Sequence, residues 1–323
     1  MKAIGLGVAL ALLALAPHLV GEYQTYLLTL TVIWSILALS MGLVLGFVGQ
    51  INLGQGAFVA IAAYTCSILR QRYDIDFWLA APVALATVVV IAALVGLLTL
   101  RLKGPFFILV MLAFAEITRL IISNWQSVTN GPLGLRDIRP PETLLGLRFD
   151  SKMSFYYLSL STLLVCLLAL WRLIQSRTGR LLIAVREDEL LAEFVGIPVM
   201  QSKVIGLCIA AFVAGIGGLL LGPFLTILAP SQFTLFASVD MIVMVVVGGV
   251  GTLAGPVIGA IFLVYVPEFL SFTSDYRPAM MGLVLILVTL FAPSGLLGLL
   301  RTLRNKVVPA AKRPPANVEV RHA

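Results

Sequence analysis

FWLAAPVALATVVVIAALVGLLTL, residues 77–100, carries no charged side chain from one end to the other. As a helix rising about 1.5 Å per residue it is about 36 Å long, enough to cross a hydrocarbon core of about 30 Å. As a strand it would leave backbone polar groups unpaired in lipid unless it closed into a barrel, and it lacks the period-two alternation of a barrel strand. The stretch therefore reads as a membrane-spanning helix. Nine further apolar segments read the same way: 3–20, 26–45, 54–69, 106–122, 155–173, 204–221, 236–250, 255–270 and 279–299.

Composition agrees. Of 323 residues 60% are hydrophobic and 11% charged, whereas soluble domains carry roughly 45–50% and about 25%. So much apolar surface cannot be hidden in a core of this size, so part of the solvent is lipid. The fold expected is an all-α polytopic transmembrane helical bundle of about ten spans (eight to ten), occupying residues 1–300. The 28 glycines and 16 prolines fall largely inside apolar runs, as membrane helices tolerate. The net charge of +7 is read as basic inner loops beside anionic lipid head groups, with no nucleic-acid partner. Cys66, Cys166 and Cys208 lie within apolar runs without paired spacing, and read as packing residues, neither disulfides nor metal ligands.

Lys and Arg set the orientation. With ten crossings and the N-terminus inside, fourteen of the 22 basic residues fall on the inner side. Its net charge is then +9 against −1 outside, and both termini are cytoplasmic. The first segment has a second reading as a cleavable signal peptide, from Lys2, the apolar stretch and Ala14-Leu15-Ala16. A retained helix is preferred, and removing it leaves the rest of the topology unchanged. The tail 301–323 is polar and expected to be disordered. Gly46–Gly56 and Gly248–Gly259 both join two spans through a Gly-rich inner turn, a hint of duplication.

The most informative polar stretch is the loop 176–198. Ser176 or Thr178 can cap a helix start, and Gly196 followed by Pro198 is a stop. Between them a single charged helix is expected, with Arg180, Arg186, Glu187, Asp188, Glu189 and Glu193 beside Leu190, Leu191, Phe194 and Val195. Such a helix suits docking on a soluble partner. The alternative, an interfacial helix on the membrane, fits less well because its acids would face anionic lipid.

Gly179-Arg180, Arg186-Glu187-Asp188-Glu189, Ala192-Glu193 and Gly196-Ile197 together resemble the cytoplasmic coupling loop of branched-chain amino-acid ABC transporter permeases of the LivM type. GFVGQINLGQGAF (46–58), LAFAEITR (112–119) and TNGPLGL (129–135) resemble three further family stretches, in matching order and spacing. Together with the span pattern, the likeness covers roughly residues 25–300. Asn130 stands where the family commonly has Gly, and Gln55 where it commonly has His. The resemblance implies a type II-like importer permease that passes branched-chain or related amino acids by alternating access. It also implies a second homologous permease chain, two ATP-binding subunits carrying ATP and Mg, and a periplasmic substrate-binding protein, in a bacterial inner membrane. Urea, short amides or aromatic acids on the same machinery remain open, and a stand-alone secondary transporter is the rival class.

Candidate pathway residues are Gly49, Gln50, Asn52, Gly54, Gln55, Gly56 and Glu116. The glycines allow close backbone approach, and the amides sit where unpartnered polar groups are expensive. Packing of small residues around a simple turn is the equal alternative. Glu116 falls about 15 Å into its span, near mid-bilayer. Arg119 at i+3 makes a structural ion pair facing the bundle the preferred reading. Asp240 is expected to reach the outer interface. In the outer loop 123–154 and beside it, Arg70, Arg72, Arg136 and Arg139 are candidates for docking the binding protein, with a solvated surface as the alternative. No lysine follows a glycine, so no phosphate-cradling motif is present. No catalytic or metal constellation can be assembled, and the chain is not read as an enzyme.

Overall fold

The structure, a computed structural model, describes residues 15–18, 20–101, 104–143, 148–269, 282, 286 and 295–298. The expected spans at 3–20 and 279–299 lie largely, and the tail 301–323 wholly, outside the described residues. Within them regular structure is helical, and extended pairing is confined to one antiparallel bridge between Leu135 and Leu228. The main helices among the described residues are α1 (Glu22–Leu43), α2 (Gln55–Tyr73), α3 (Phe77–Thr99), α4 (Pro105–Asn124), α5 (Lys152–Gln175), α6 (Arg177–Glu187), α7 (Glu189–Phe194), α8 (Val199–Leu225), α9 (Leu235–Gly248) and α10 (Ala254–Phe269), with single short turns at Gln126–Thr129, Gly131–Leu133 and Pro230–Phe233.

Among the described residues five helical stretches are long and apolar enough to cross a membrane: 22–48, α3, α4, α5 and α8. They divide by burial. The most apolar windows of 22–48 and α8 are 83% and 67% buried within the chain, against 28% for α3, α4 and α5. An apolar helix buried all round is a core helix, and one buried along a stripe is a wall. On α4 that stripe is Phe107, Met111, Ala115, Thr118 and Ile122, at spacings of three and four. The other side shows Phe106, Leu109, Ile117 and Ile121 outward, the pattern of a lipid-facing or subunit-facing surface.

α1 does not end cleanly. Its last turn opens into a π-helix, Val44–Val48, which stops at Gly49 in the left-handed region. Residues 50–54 then turn back into the bundle, and α2 begins beside Ser40 of α1 and Ala210 of α8. Ala210 is eleven residues into α8, or about 16 Å from its start. The span expected from residue 54 is therefore a broken one that starts inside the bundle. The spans expected at 236–250 and 255–270 are present as helices, and both are short. α9 has 14 residues and α10 has 16, about 21 and 24 Å, less than a core of about 30 Å.

At the end of the bundle carrying residues 123–154, the connector from α8 to α9 is zipped onto the loop. Leu135 and Leu228 exchange backbone hydrogen bonds of 3.0 and 2.8 Å, and Ile138 N–H donates to the Thr226 carbonyl at 3.2 Å. The Tyr64 hydroxyl adds a bond to the Leu228 carbonyl at 2.8 Å. The two Gly-rich stretches that hint at duplication in the sequence also meet in space. The two Gly-rich turns face each other, and a Cβ on Gly46 would fall 2.8 Å from the amide nitrogen of Gly251.

Candidate functional site

The loop 176–198 folds as two helices where one was expected. Ser176 caps α6, its hydroxyl accepting from the Gly179 N–H at 3.3 Å. The break is at Asp188, whose extended backbone (φ −156°) lets its carboxylate cap α7 by accepting from the Leu191 N–H at 3.0 Å. Asp favours exactly such a capping role over a helix interior, a preference hidden in the sequence by the surrounding run of charges. The expected stop is in place, with α7 ending at Phe194 and Gly196 at φ 85°.

The loop's charges then separate into two groups. Arg186 turns toward the bundle. Its guanidinium donates to the Gly46 carbonyl in the π-turn and pairs with Glu187. Its stem lies against Gly49, where a Cβ would fall 2.6 Å from Cγ of Arg186. Gly49 also has φ 78°, a conformation that a side chain would strain. Gly251 of the second Gly-rich turn is close by, with an added Cβ 3.5 Å from an Arg186 Nη. One arginine is thus bonded to the first turn and lies beside the second. Glu189 is likewise used within the chain: it pairs with Lys203 of α8, whose side chain is only 3% exposed. The remaining residues point away. Arg180, Glu187, Asp188, Glu193 and Gly196 are exposed, as are Leu190, Leu191, Phe194 and Val195, with Phe194 at 87%. Exposed apolar side chains rimmed by charge make this a candidate interaction surface.

Behind the π-turn lies a buried amide cluster. Asn52, Gln55, Ser40 and Ser238 are all fully buried. The Gln55 amide donates to Ser40 Oγ at 3.0 Å and to the Ala210 carbonyl at 3.3 Å, and its oxygen accepts from Asn52 at 2.8 Å. Asn52 Oδ1 accepts from the Gly54 N–H at 2.8 Å, and Ser238 Oγ from the Gly56 N–H at 2.9 Å. The network holds the start of α2 against α1, α8 and α9. Gln50 stays near the π-turn, its N–H donating to the Val44 carbonyl at 3.2 Å. Sequence reasoning found the amides and missed their partners, because Ser40, Ala210 and Ser238 carry no local signal.

Glu116 and Arg119 do pair, with Arg119 Nε 3.0 Å from Oε2. They do not face this chain's bundle, as was expected. The pair flanks the buried stripe of α4, and the Glu116 side chain is 47% exposed. Arg70 also departs from expectation. Its side chain is 7% exposed and binds the Arg139 and Pro140 carbonyls and, at 2.6 Å, Glu142. It is thereby committed to holding the loop. Burial raises the Glu142 carboxyl, but hydrogen bonds from Arg70 and from the Phe77 N–H outweigh it and leave the group below its ordinary value. Arg72, Arg136 and Arg139 remain exposed at this end. Arg136 and Arg139 line a cavity of about 520 Å³ together with Asp74, Asp76 and Asp137.

Asp240 lies five residues into α9, exposed into a cavity of about 530 Å³ between α1, α9 and α10. Among the described residues no group of three or more His, Cys, Asp or Glu side chains could hold a metal ion.

Comparison with known proteins adds four findings. The profile of a family described as the branched-chain amino acid transport system permease component matches residues 23–291. The chain is similar to the high-affinity branched-chain amino acid transport system permease protein LivM of Escherichia coli (strain K12), at 33% identity over 91% of this chain and 75% of that one. It is also similar to the permease protein LivH of Salmonella typhimurium, at 26% identity over 84% of this chain and 92% of that one. A solved structure, PsaBC from Streptococcus pneumoniae in complex with Fab, aligns with a TM-score of 0.43 at 15% identity over 88% of this chain and 94% of that one.

Proposed function

This chain belongs to the branched-chain amino acid transport permease family, and from that premise we propose how it works as one membrane subunit of an ATP-driven importer of branched-chain amino acids. It is a multi-pass membrane protein and not an enzyme. Similarity to both LivM and LivH supports a pair of homologous permease chains. In this reading each chain is a type II-like permease of about ten spans in a bacterial inner membrane. The 176–198 end and both termini are cytoplasmic, in keeping with the excess of Lys and Arg there. Two ATP-binding subunits, which carry the ATP and Mg, dock on the surface formed by Leu190, Leu191, Phe194 and Val195 with Glu187, Asp188 and Glu193. A periplasmic binding protein docks on the opposite end, where Arg136 is exposed beside Arg72, which donates to the Ser127 carbonyl, and Arg139, which is paired with Asp74.

The observation that carries the mechanism is the Arg186 junction. A displacement of the docking surface moves α6, and Arg186 passes that movement to the π-turn through Gly46 and to the second turn beside Gly251. π-Turns are recurrent at functional positions because a misfitted turn shifts cheaply. The two turns switch the pathway side by side, while the buried amides keep the start of α2 anchored. Glu116 faces outward from this chain and belongs, in this reading, to the contact with lipid or with the second permease.

The test is uptake of labelled leucine in cells lacking this chain, with unlabelled isoleucine, urea, short amides and phenylalanine as competitors. Loss of uptake, restored by the intact gene and competed by isoleucine, is the expected result. Unchanged leucine uptake in the deletion strain overturns the substrate assignment.

A further inference from the structure

We propose that the groove between α1, α9 and α10 is the permease's own substrate site, with Asp240 receiving the α-ammonium group and the adjoining apolar cavity the branched side chain. The proposal rests on the importer reading above and assigns the site that reading leaves open.

Three observations converge on it. The first is Asp240 itself. It sits on an otherwise apolar helix and has no hydrogen-bond or ion-pair partner among the described residues. Other carboxylates of the bundle are engaged: Glu116 by Arg119, Glu142 by Arg70, Glu189 by Lys203, and Glu268, across the same groove, by the Tyr23 hydroxyl. A carboxylate among apolar walls is expensive unless it faces water or a cation, and such residues in membrane segments mark substrate or ion paths.

The second is the neighbouring cavity. The groove of about 530 Å³ adjoins a pocket of about 320 Å³, and Tyr26, Leu30 and Trp34 wall both. Successive residues of α9 divide between them, Asp240 to the groove and Met241 to the pocket. The pocket is otherwise apolar apart from Gln232, and it reaches Gly56 at the start of the broken helix α2. Anion and aliphatic lining side by side match a small molecule with a cationic group next to a branched hydrocarbon. They match urea and the amides poorly, since these lack the ammonium.

The third is Tyr26. Its ring stacks on Phe224 at 4.8 Å, and its hydroxyl has no hydrogen-bond partner among the described residues. It is a donor available to the carboxylate of the same molecule. The site also lies one helix away from the Arg186 junction: α9 carries Asp240 near one end and the Gly248–Gly251 turn at the other. Movement of that turn therefore acts directly on the substrate groove.

The experiment measures ATP-driven leucine and valine uptake by proteoliposomes holding the complete importer, with saturating binding protein. Asp240→Asn should lower leucine uptake at least tenfold, and Asp240→Glu should recover part of it. Co-purification with the second permease and the ATPases should be intact. Ala237→Val, which narrows the apolar pocket, should lower leucine uptake more than valine uptake. Wild-type uptake by Asp240→Asn overturns the site while leaving the importer reading in place. Loss of the second permease from the Asp240→Asn preparation also overturns it, since Asp240 would then be an intersubunit contact. Absence of leucine uptake by the unaltered importer defeats the importer reading and this proposal together.

Discussion

Gln55→Leu removes the centre of the buried amide cluster at nearly constant volume. Three hydrogen bonds disappear, two donated to Ser40 Oγ and the Ala210 carbonyl and one accepted from Asn52. Two of the partners are not stranded. Ser40 still donates to the Leu37 carbonyl at 2.6 Å, and Ala210 O lies within α8. The Asn52 amide is stranded, because Asn52 is fully buried and that bond is its Nδ2 contact. Interhelical hydrogen bonds in membranes are worth about 0.6 kcal/mol each, and an orphaned buried donor costs about 1–3 kcal/mol. The sum is about 2 to 4 kcal/mol, with little added for packing because a similar volume is kept. For a chain of this size, thermal unfolding of the detergent-purified permease pair should begin about 5 °C lower. In a double-mutant cycle with Asn52→Ala, the combined loss should be about 1 kcal/mol smaller than the sum of the single losses. Wild-type stability of Gln55→Leu, or strict additivity, would refute the reading of these amides as one closed network.

Three other outcomes follow from the same contacts. Gly49→Ala places a side chain at φ 78° against the Arg186 stem, so it should cost about 1–2 kcal/mol and raise the ATP hydrolysed per leucine imported, measured in proteoliposomes; unchanged stoichiometry removes Gly49 from the coupling route. Phe194→Ser and Leu191→Ser together should abolish co-purification of the ATP-binding subunits while membrane insertion is kept, and full recovery of those subunits would move the docking surface elsewhere. Because the folded Glu142 carboxyl lies below its ordinary value of 4.5, its contribution to stability is complete above that pH. That contribution is lost as pH falls through the lowered value. Glu142→Gln should flatten this acid limb of a melting-temperature profile, and an unchanged limb would assign it to other groups.

What could be read in the sequence was whatever is encoded locally. The uncharged run at 77–100 is a helix because nothing else satisfies its backbone in lipid, and α3 (Phe77–Thr99) is that helix. Gly196 and Pro198 announce a stop wherever they stand, and Ser176 a start. The break at Asp188 was encoded just as locally, but its neighbours make Asp188 look like one more charge on a helix surface. Long-range pairings left no trace: Lys203 finds Glu189 across 14 positions and Arg70 finds Glu142 across 72. Read locally, Glu189 looks like a partner-docking charge and Arg70 like a binding-protein contact. The Gly-rich stretch 46–56 was legible as unusual. Its division into a π-turn, a re-entrant connector and a buried helix start depends on Arg186, Ser40 and Ser238, which only the folded chain brings together.

In the proposed mechanism leucine crosses through this chain at the expense of ATP hydrolysed by partner subunits. The most direct measurement is leucine accumulation in proteoliposomes containing the permease pair and its ATPases, with binding protein on one side and Mg-ATP on the other. Accumulation that requires both, and that falls when Arg186→Ala breaks the junction while ATP hydrolysis continues, is the predicted result. Accumulation driven by an ion gradient without ATP or binding protein would contradict it and make the chain a secondary transporter.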